Sequence, residues 1–290
     1  MTPPVRSLLF VPGNRTAWVP KAVAAGADAV ILDLEDAVAA ADRSAARAEV
    51  AELLAAGNPE LPIVVRVNGL HDRGALDDLS AIVGPALTAV MVPKIESVAD
   101  VHVVDRLLGW FEADAGLVVG TIGLVPVLET AAGIRQAYDL ARASTRTVYM
   151  GGLGVKGGDV ERSLGYRWTP EGTETLALRS QVLLDVRAAG VPNPVTGMWS
   201  EIKDLDGLRA FAAQSRGLGY EGMVAIHPSH VAIVNEAFTP SAAELDADAA
   251  LVAAMEEGAA AGRGAVVFDG NMIDEAMAAT ARRRLARYRG

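Results

Sequence analysis

Residues 124–134 read LVPVLETAAGI and mark a point at which a buried strand becomes a helix. The apolar run ends abruptly at one carboxylate, Glu129, and the small residues 130–133 leave space around it and can open a helix. Two interpretations of Glu129 fit these residues. It holds a divalent cation at the mouth of the strand together with Asp159, or it is a solvated helix N-terminus, where glutamate complements the helix dipole.

The same strand-to-helix unit recurs along the chain. Eight short apolar runs alternate with amphipathic segments, and the predicted strands are 7–11, 29–34, 62–67, 88–92, 122–128, 147–150, 191–195 and 222–226. Predicted helices follow at 16–26, 42–56, 98–112, 131–143, 172–189 and 205–217. Short continuous apolar runs are typical of parallel strands buried on both faces. The pattern favours a closed (β/α)₈ TIM barrel of the α/β class, with an open doubly wound sheet as the alternative.

Residues 239–290 lie beyond the eighth unit and cannot belong to the repeat. Ser241 followed by Glu244 predicts a capping box and a helix to about residue 261. A brief extended piece at 265–268 and a final helix at 272–288 complete the chain. We therefore expect a barrel domain, 1–238, and a C-terminal helical extension, 239–290, that packs on its own barrel or on a neighbour's.

Composition excludes several classes of protein. The chain has 290 residues, and its 26 Lys and Arg against 36 Asp and Glu give a net charge of −10. This charge argues against a nucleic acid or an anionic membrane as partner, and a phosphate-bearing ligand would need a local basic pocket. The absence of Cys excludes disulfides, thiolate metal sites and a cysteine nucleophile. No signal peptide or bilayer-spanning run is visible, so we expect a soluble, cytoplasmic protein.

Polar side chains cluster at the predicted strand ends. In a barrel the C-terminal strand ends carry the chemistry, and these positions hold Glu35, Asp36, Arg66, Asn68, Lys94, Glu129 and His227. Taken singly, each has a structural explanation, such as a core ion pair for Arg66 or a solvated strand end for Lys94. Two carboxylates with open positions, Glu129 and Asp159, suit Mg²⁺, which keeps several waters and takes substrate oxygens.

The loop after the sixth predicted strand is rich in glycine. Residues 152–157 read GLGVKG and match the GxGxxG pattern of dinucleotide-binding loops. The pattern follows the sixth strand instead of the first, and Gly157 and Gly158 continue the loop where a helix should open. The plainer interpretation is a loop that lets the backbone approach a ligand and that carries Asp159.

Eight blocks of sequence, in order, carry a resemblance that covers almost the whole chain. They are SLLFVPGNR, AVILDLEDAV, VVRVN, MVPKIES, VLETAAGI, GGDVERSLG, AIHPSHVAIVNEAFTPS and FDGNMID. Together they resemble the citrate lyase β-subunit-like proteins of the HpcH/HpaI aldolase and malyl-CoA lyase group. The resemblance implies a Mg²⁺-dependent TIM barrel that cleaves or forms a C–C bond in a malyl-, citramalyl- or citryl-CoA type substrate. It also implies a homotrimer or hexamer in which the C-terminal segment reaches the neighbouring subunit.

The resemblance implies roles for individual residues. Glu129 and Asp159 match the metal ligands, and Glu35 and Asp36 match an acidic pair that holds metal-bound waters. Arg66 matches the arginine that contacts the oxo-acid and the developing oxyanion. Arg15 and Lys21 match the region that binds the CoA phosphates. Asp274 matches an aspartate that acts as acid/base from the adjacent chain. The loop before Asp159 carries extra residues where the family usually shows Glu-Asp-Leu, which is typical of a divergent branch.

Other functions fit the same sequence. A malyl-CoA thioesterase or malate-synthase-like enzyme on this scaffold would release free CoA. A citrate lyase β subunit that acts on a carrier-protein thioester would be inert on CoA esters. A dinucleotide oxidoreductase would need the glycine-rich loop to bind NAD, and a non-catalytic ligand-binding barrel would not need Asp274.

Overall fold

The computed structural model describes residues 5–57, 60–153 and 156–289. These residues form two compact units, Val5–Phe238 and the chain from Thr239 onward. Each unit has its own hydrophobic core. Within the described ranges, no helix is both long enough and apolar enough to cross a bilayer.

The first unit is built on one parallel sheet of seven strands. The strands are β1 Ser7–Pro12, β2 Ala29–Asp33, β3 Ile63–Arg66, β4 Leu87–Val92, β5 Gly123–Pro126, β6 Val195–Thr196 and β7 Gly222–Ala225. Their order in the sheet is β5-β4-β3-β2-β1-β7-β6, and every pairing is parallel. The predicted sixth strand at 147–150 is reduced to one parallel bridge, between Leu124 and Thr147.

Helices follow the strands of this unit. They are α1 Val19–Ala24, α2 Arg43–Ala55, α3 Gly74–Ile82, α4 Val98–Asp114, α5 Ala131–Arg135, α6 Ala137–Arg142, α7 Asp159–Leu164, α8 Thr173–Ala188, α9 Leu205–Leu218 and α10 Pro228–Phe238. Two 3₁₀ turns, Gly13–Trp18 and Ala40–Asp42, precede α1 and α2.

Alternation along the strands divides the apolar side chains between two cores. Leu8, Ile31 and Val64 belong to one cluster, whereas their neighbours Leu9 and Val65 belong to the other. This is the period of two that a strand imposes on its faces. The first cluster also takes residues from β4, β5 and β6, so strands from both edges of the sheet share one inner core. The fold is therefore α/β with a curled parallel sheet, as expected, while complete closure into an eight-stranded barrel stays a prediction.

The structure corrects several predicted helices. The helix predicted at 16–26 is wrong at its start, because a 3₁₀ turn occupies Gly13–Trp18 and α1 begins at Val19 with a proline in its first turn. The helix predicted at 131–143 breaks at Gln136, whose backbone (φ −107°, ψ 16°) leaves the helical region. The helix predicted at 42–56 begins at Arg43, and Asp42, the residue expected to cap it, makes no side-chain cap. The sequence Gly-Asn-Pro at 57–59 favours an end to the helix predicted at 42–56, and residues 58 and 59 lie outside the described ranges.

The second unit combines two helices with a hairpin. Its elements are α11 Ala242–Ala260, the antiparallel pair β8 Ala265–Phe268 and β9 Asn271–Asp274, and α12 Glu275–Tyr288. The capping box at Ser241 is confirmed, since the Ser241 hydroxyl accepts from the Glu244 N–H at 3.2 Å and Glu244 Oε2 accepts from the Ser241 N–H at 2.7 Å. The start predicted for the final helix, residue 272, is wrong, because 271–274 pair as β9.

Candidate active site

A cavity of about 110 Å³ lies inside the curled sheet of the first unit. Its wall takes residues from β1, β3, β4, β5, β6 and β7 and is mostly apolar, as with Phe10 and Met91. Three charged side chains reach it: Arg66, Glu129 and Asp159. Residues far apart in the sequence therefore meet at one small cavity.

Glu129 follows β5 and is largely withdrawn from water. Its Oε1 accepts a hydrogen bond from the Lys94 backbone N–H at 3.0 Å. Burial, together with the negative charges of Glu35 and Asp159, raises the pKa of Glu129 to about 7. The cap of α5 is the next residue, Thr130, whose hydroxyl accepts from the Gly133 N–H at 3.1 Å. Glu129 is thus not the solvated helix N-terminus that its sequence context allowed.

Asp159 is the first residue of α7 and faces two cations. Its Oδ2 lies 3.4 Å from Lys94 Nζ, and its Oδ1 lies 2.5 Å from the exposed side chain of Arg162. Gly158, just before it, has φ +139°, a conformation that side chains rarely adopt. The glycine therefore permits the turn that delivers Asp159 to the cavity.

Lys94 follows β4 and is not the solvated strand end that the sequence allowed. Its Nζ lies 2.5 Å from Glu35 Oε1, and its backbone adopts φ +54°, which is uncommon for a residue with a side chain. Burial lowers the pKa of Lys94, but the hydrogen bond and charge of Glu35, with further charge from Glu129 and Asp36, raise it above its usual value. Lys94 is therefore held as a cation inside the acidic cluster.

Arg66 ends β3 and is held by a buried carboxylate that sequence reasoning did not single out. Asp33, the last residue of β2, accepts from Arg66 Nε at 2.7 Å and from Nη2 at 2.6 Å. The two residues are partners in the β2–β3 register. The third nitrogen of the guanidinium, Nη1, lies 3.2 Å from Glu35 and 3.8 Å from Asp36. The signal in the sequence was a carboxylate that closes an otherwise apolar strand, AVILD, beside a strand that ends in arginine.

The two predicted water-holding carboxylates differ in environment. Glu35 is 4% exposed, and burial raises its pKa despite the opposing hydrogen bond from Lys94 and the charge of Arg66. The side chain of Asp36 is 61% exposed and lies at the edge of the cluster. Of these two carboxylates, only Glu35 therefore belongs to the buried network of ion pairs.

The charge balance of the cluster suits a divalent cation. Five carboxylates (Asp33, Glu35, Asp36, Glu129 and Asp159) face three cationic side chains (Arg66, Lys94 and Arg162), so two negative charges are in excess when every carboxylate is ionised. Among the described residues, no three His, Asp or Glu side chains form a complete ligand set. A cation held by Glu129 and Asp159 would complete its coordination with water or substrate oxygens, as Mg²⁺ commonly does.

The other predicted positions lie outside this cluster. Arg15 and Lys21 flank the exposed Trp18, at 6.0 Å and 5.3 Å from its ring centre, and Lys21 and His227 line a second cavity of about 440 Å³. Asn68 is structural, because its Nδ2 donates to buried Asp78 at 2.6 Å.

Asp274 belongs to the second compact unit, where it ends β9 and caps α12. Its Oδ1 accepts from the Met277 N–H at 3.1 Å, and the residue is exposed. The glycine-rich motif at 152–157 is only partly described, since 154 and 155 lie outside the described ranges. The six-residue α7 that follows begins at Asp159.

Comparison with known proteins identifies the family. A family model described as HpcH/HpaI aldolase/citrate lyase matches residues 6–228, and the chain belongs to this family. It is 38% identical to a citrate lyase subunit beta-like protein of Deinococcus radiodurans, over 97% of this chain and 96% of that protein. It is 34% identical to a (3S)-malyl-CoA thioesterase of Cereibacter sphaeroides, over 98% of this chain and 94% of the other.

A solved structure agrees with the fold. Protein CitE from Mycobacterium tuberculosis, in complex with magnesium, acetoacetate and coenzyme A, superposes with a TM-score of 0.79 at 32% identity. The match covers 99% of both chains.

Proposed function

We propose that this protein is a Mg²⁺-dependent carbon–carbon lyase that acts on a 3-hydroxy-acyl-CoA and gives an acyl-CoA and an oxo-acid. The observation that carries the proposal is the convergence of Glu129, Asp159 and Arg66 on one cavity within a cluster that has two negative charges in excess. The coenzyme A and magnesium of the CitE structure support the same assignment.

In the cleavage direction, the 3-hydroxyl proton leaves to a base and the C–C bond breaks. The electron pair of that bond passes to the acyl-CoA half as a thioester enolate. Glu129 and Asp159 would hold the Mg²⁺, which would act as a Lewis acid toward the oxo-acid half. Arg66 stabilises the negative charge that develops on oxygen, and Asp33 holds its guanidinium in place. Asp274 gives a proton to the α-carbon of the enolate, which completes the acyl-CoA.

The proposal includes a closed barrel and an oligomer. Closure is supported by Gly151, where an added Cβ would lie 3.3 Å from the Val195 carbonyl oxygen, and by Met150 and Val195 lining the same cavity. Residues 1–238 would form the catalytic barrel. Residues 239–290 would pack on a neighbouring subunit of a trimer or hexamer and bring Asp274 to that subunit's site.

Arg15 and Lys21 are the proposed contacts for the CoA phosphates. Both cations lie beside the exposed ring of Trp18, and Lys21 lines a cavity large enough to admit part of a cofactor. They supply the local positive charge that a phosphate needs on a chain with a net charge of −10.

The purified protein, incubated with malyl-, methylmalyl-, citramalyl- and citryl-CoA in Mg²⁺ or EDTA, tests the proposal by mass spectrometry of the products. We expect Mg²⁺-dependent release of an oxo-acid and a shorter acyl-CoA, with no turnover in EDTA. Free CoA with an intact hydroxy-acid would instead establish a thioesterase, the second candidate, which the malyl-CoA thioesterase relative favours. Activity only on a carrier-protein thioester would identify a citrate lyase β-type subunit.

A further inference from the structure

Lys94 contacts both proposed metal ligands, Glu129 and Asp159, and also the buried carboxylate of Glu35. Its backbone N–H donates to Glu129 Oε1 at 3.0 Å. Its ammonium lies 2.5 Å from Glu35 Oε1 and 3.4 Å from Asp159 Oδ2. The side chain is 24% exposed, and Lys94 is not among the described residues that line the cavity.

The backbone of Lys94 makes this double role possible. A residue in an extended strand could not aim its N–H at one carboxylate and its side chain at two others on the same side. The left-handed conformation, φ +54°, turns the chain after β4 so that both groups face the cluster. Strained backbone of this kind is characteristic of functional sites.

From this geometry we infer that Lys94 is a positioning residue that occupies the cation site in the metal-free protein and competes with the metal for Asp159. The inference rests on the metal site of the proposed function. The ammonium keeps Asp159 and Glu35 from repelling each other while no divalent cation is present. When the metal takes Asp159, the ammonium stays with Glu35, its nearer partner, and keeps that carboxylate out of the metal's coordination shell.

The inference predicts the direction in which metal affinity changes when the charge of Lys94 is removed. A lysine that merely orders the ligands would, on removal, weaken metal binding. A lysine that competes with the metal would, on removal, strengthen it, because its positive charge opposes the metal at close range inside the protein. Lys94→Met removes the charge, nearly keeps the shape and keeps the backbone N–H that holds Glu129.

The experiment titrates Mn²⁺ into the wild-type protein and into Lys94→Met without substrate, by electron paramagnetic resonance of free Mn²⁺. We expect Lys94→Met to bind Mn²⁺ about tenfold more tightly or better. Melting temperatures give an independent readout. In EDTA the variant should melt at a lower temperature than the wild type. Saturating Mn²⁺ should raise the melting temperature of the variant by more than it raises that of the wild type. Unchanged or weaker Mn²⁺ binding by Lys94→Met would overturn the inference.

Two controls separate the charge from other effects. Arg162→Gln removes the other cation from Asp159, but the Arg162 side chain is 76% exposed, so we expect a change in Mn²⁺ affinity of less than about threefold. Lys94→Arg keeps the charge, and a tenfold gain in its affinity would contradict the inference. If Lys94→Met does not fold, Lys94→Gln carries the same expectation.

The same titration distinguishes a failure of the proposed metal site from a failure of this inference. A wild-type protein that binds no Mn²⁺ would remove the metal site, and this inference with it. Normal wild-type binding with no gain in Lys94→Met would overturn the inference alone.

Discussion

Because the pKa of Glu129 is raised, we predict that this proposed metal ligand lowers the free energy of unfolding of the metal-free protein. In the folded chain the pKa of this carboxyl rises from 4.5 to about 7. Between these values the folded state binds more protons than the unfolded state, so stability falls as pH rises and the full cost is reached above pH 7. Each pKa unit corresponds to about 1.4 kcal/mol, so at pH 8 the free energy of unfolding is lowered by roughly 3 kcal/mol.

Glu129→Gln removes the charge and keeps an oxygen that can accept from the Lys94 N–H. Urea denaturation in EDTA should therefore show the variant to be roughly 3 kcal/mol more stable than the wild type at pH 8, and less than about 1 kcal/mol more stable at pH 5. Saturating Mg²⁺ at pH 8 should stabilise the wild type and leave the variant unchanged, because the ligand charge is gone.

A matched variant tests whether the removal of any carboxylate would stabilise the protein in the same way. Glu52→Gln changes the net charge equally at an exposed position of α2, and its effect should stay within about 0.5 kcal/mol at both pH values. The reasoning is refuted if Glu129→Gln fails to stabilise the protein at pH 8, or stabilises it equally at pH 8 and pH 5.

Three further substitutions have defined outcomes. Asp33→Asn should misplace Arg66 and lower kcat/KM about 100-fold without changing Mn²⁺ affinity; unchanged kinetics would rule out the positioning role. Arg146→Met should cost about 3–5 kcal/mol in urea denaturation, because it leaves the fully buried carboxylate of Glu112 without its partner at 2.7 Å; a loss below about 1 kcal/mol would contradict this. Asp274→Asn should abolish C–C chemistry but retain CoA binding by calorimetry, and full activity would refute its role.

Most strands of the first unit were predictable because parallel strands buried on both faces read as continuous apolar runs. The run AVILD of β2 is wholly buried, for example. The capping box at Ser241 and Glu244 was predictable for a different reason, since it depends only on residues three apart. The extended piece predicted at 265–268 is confirmed as β8, but its partner β9 was missed, because residues 271–274 form a strand only by pairing with 265–268.

The sequence by itself determined the α/β class, the family and the kinds of side chain at the strand ends. It also placed Glu129 and Asp159 as candidate ligands, an assignment that stays a prediction until the metal is measured. Local patterns suffice for this, because strand burial and loop chemistry are properties of neighbouring residues.

The tertiary structure alone decided which of these side chains meet. Asp33 and Arg66 are 33 positions apart and pair because their strands are adjacent and in register. Lys94 joins Glu35 across 59 positions and Glu129 across 35. The register between strands is set by hydrogen bonds and by the packing of the whole sheet, so no single segment of the sequence encodes it.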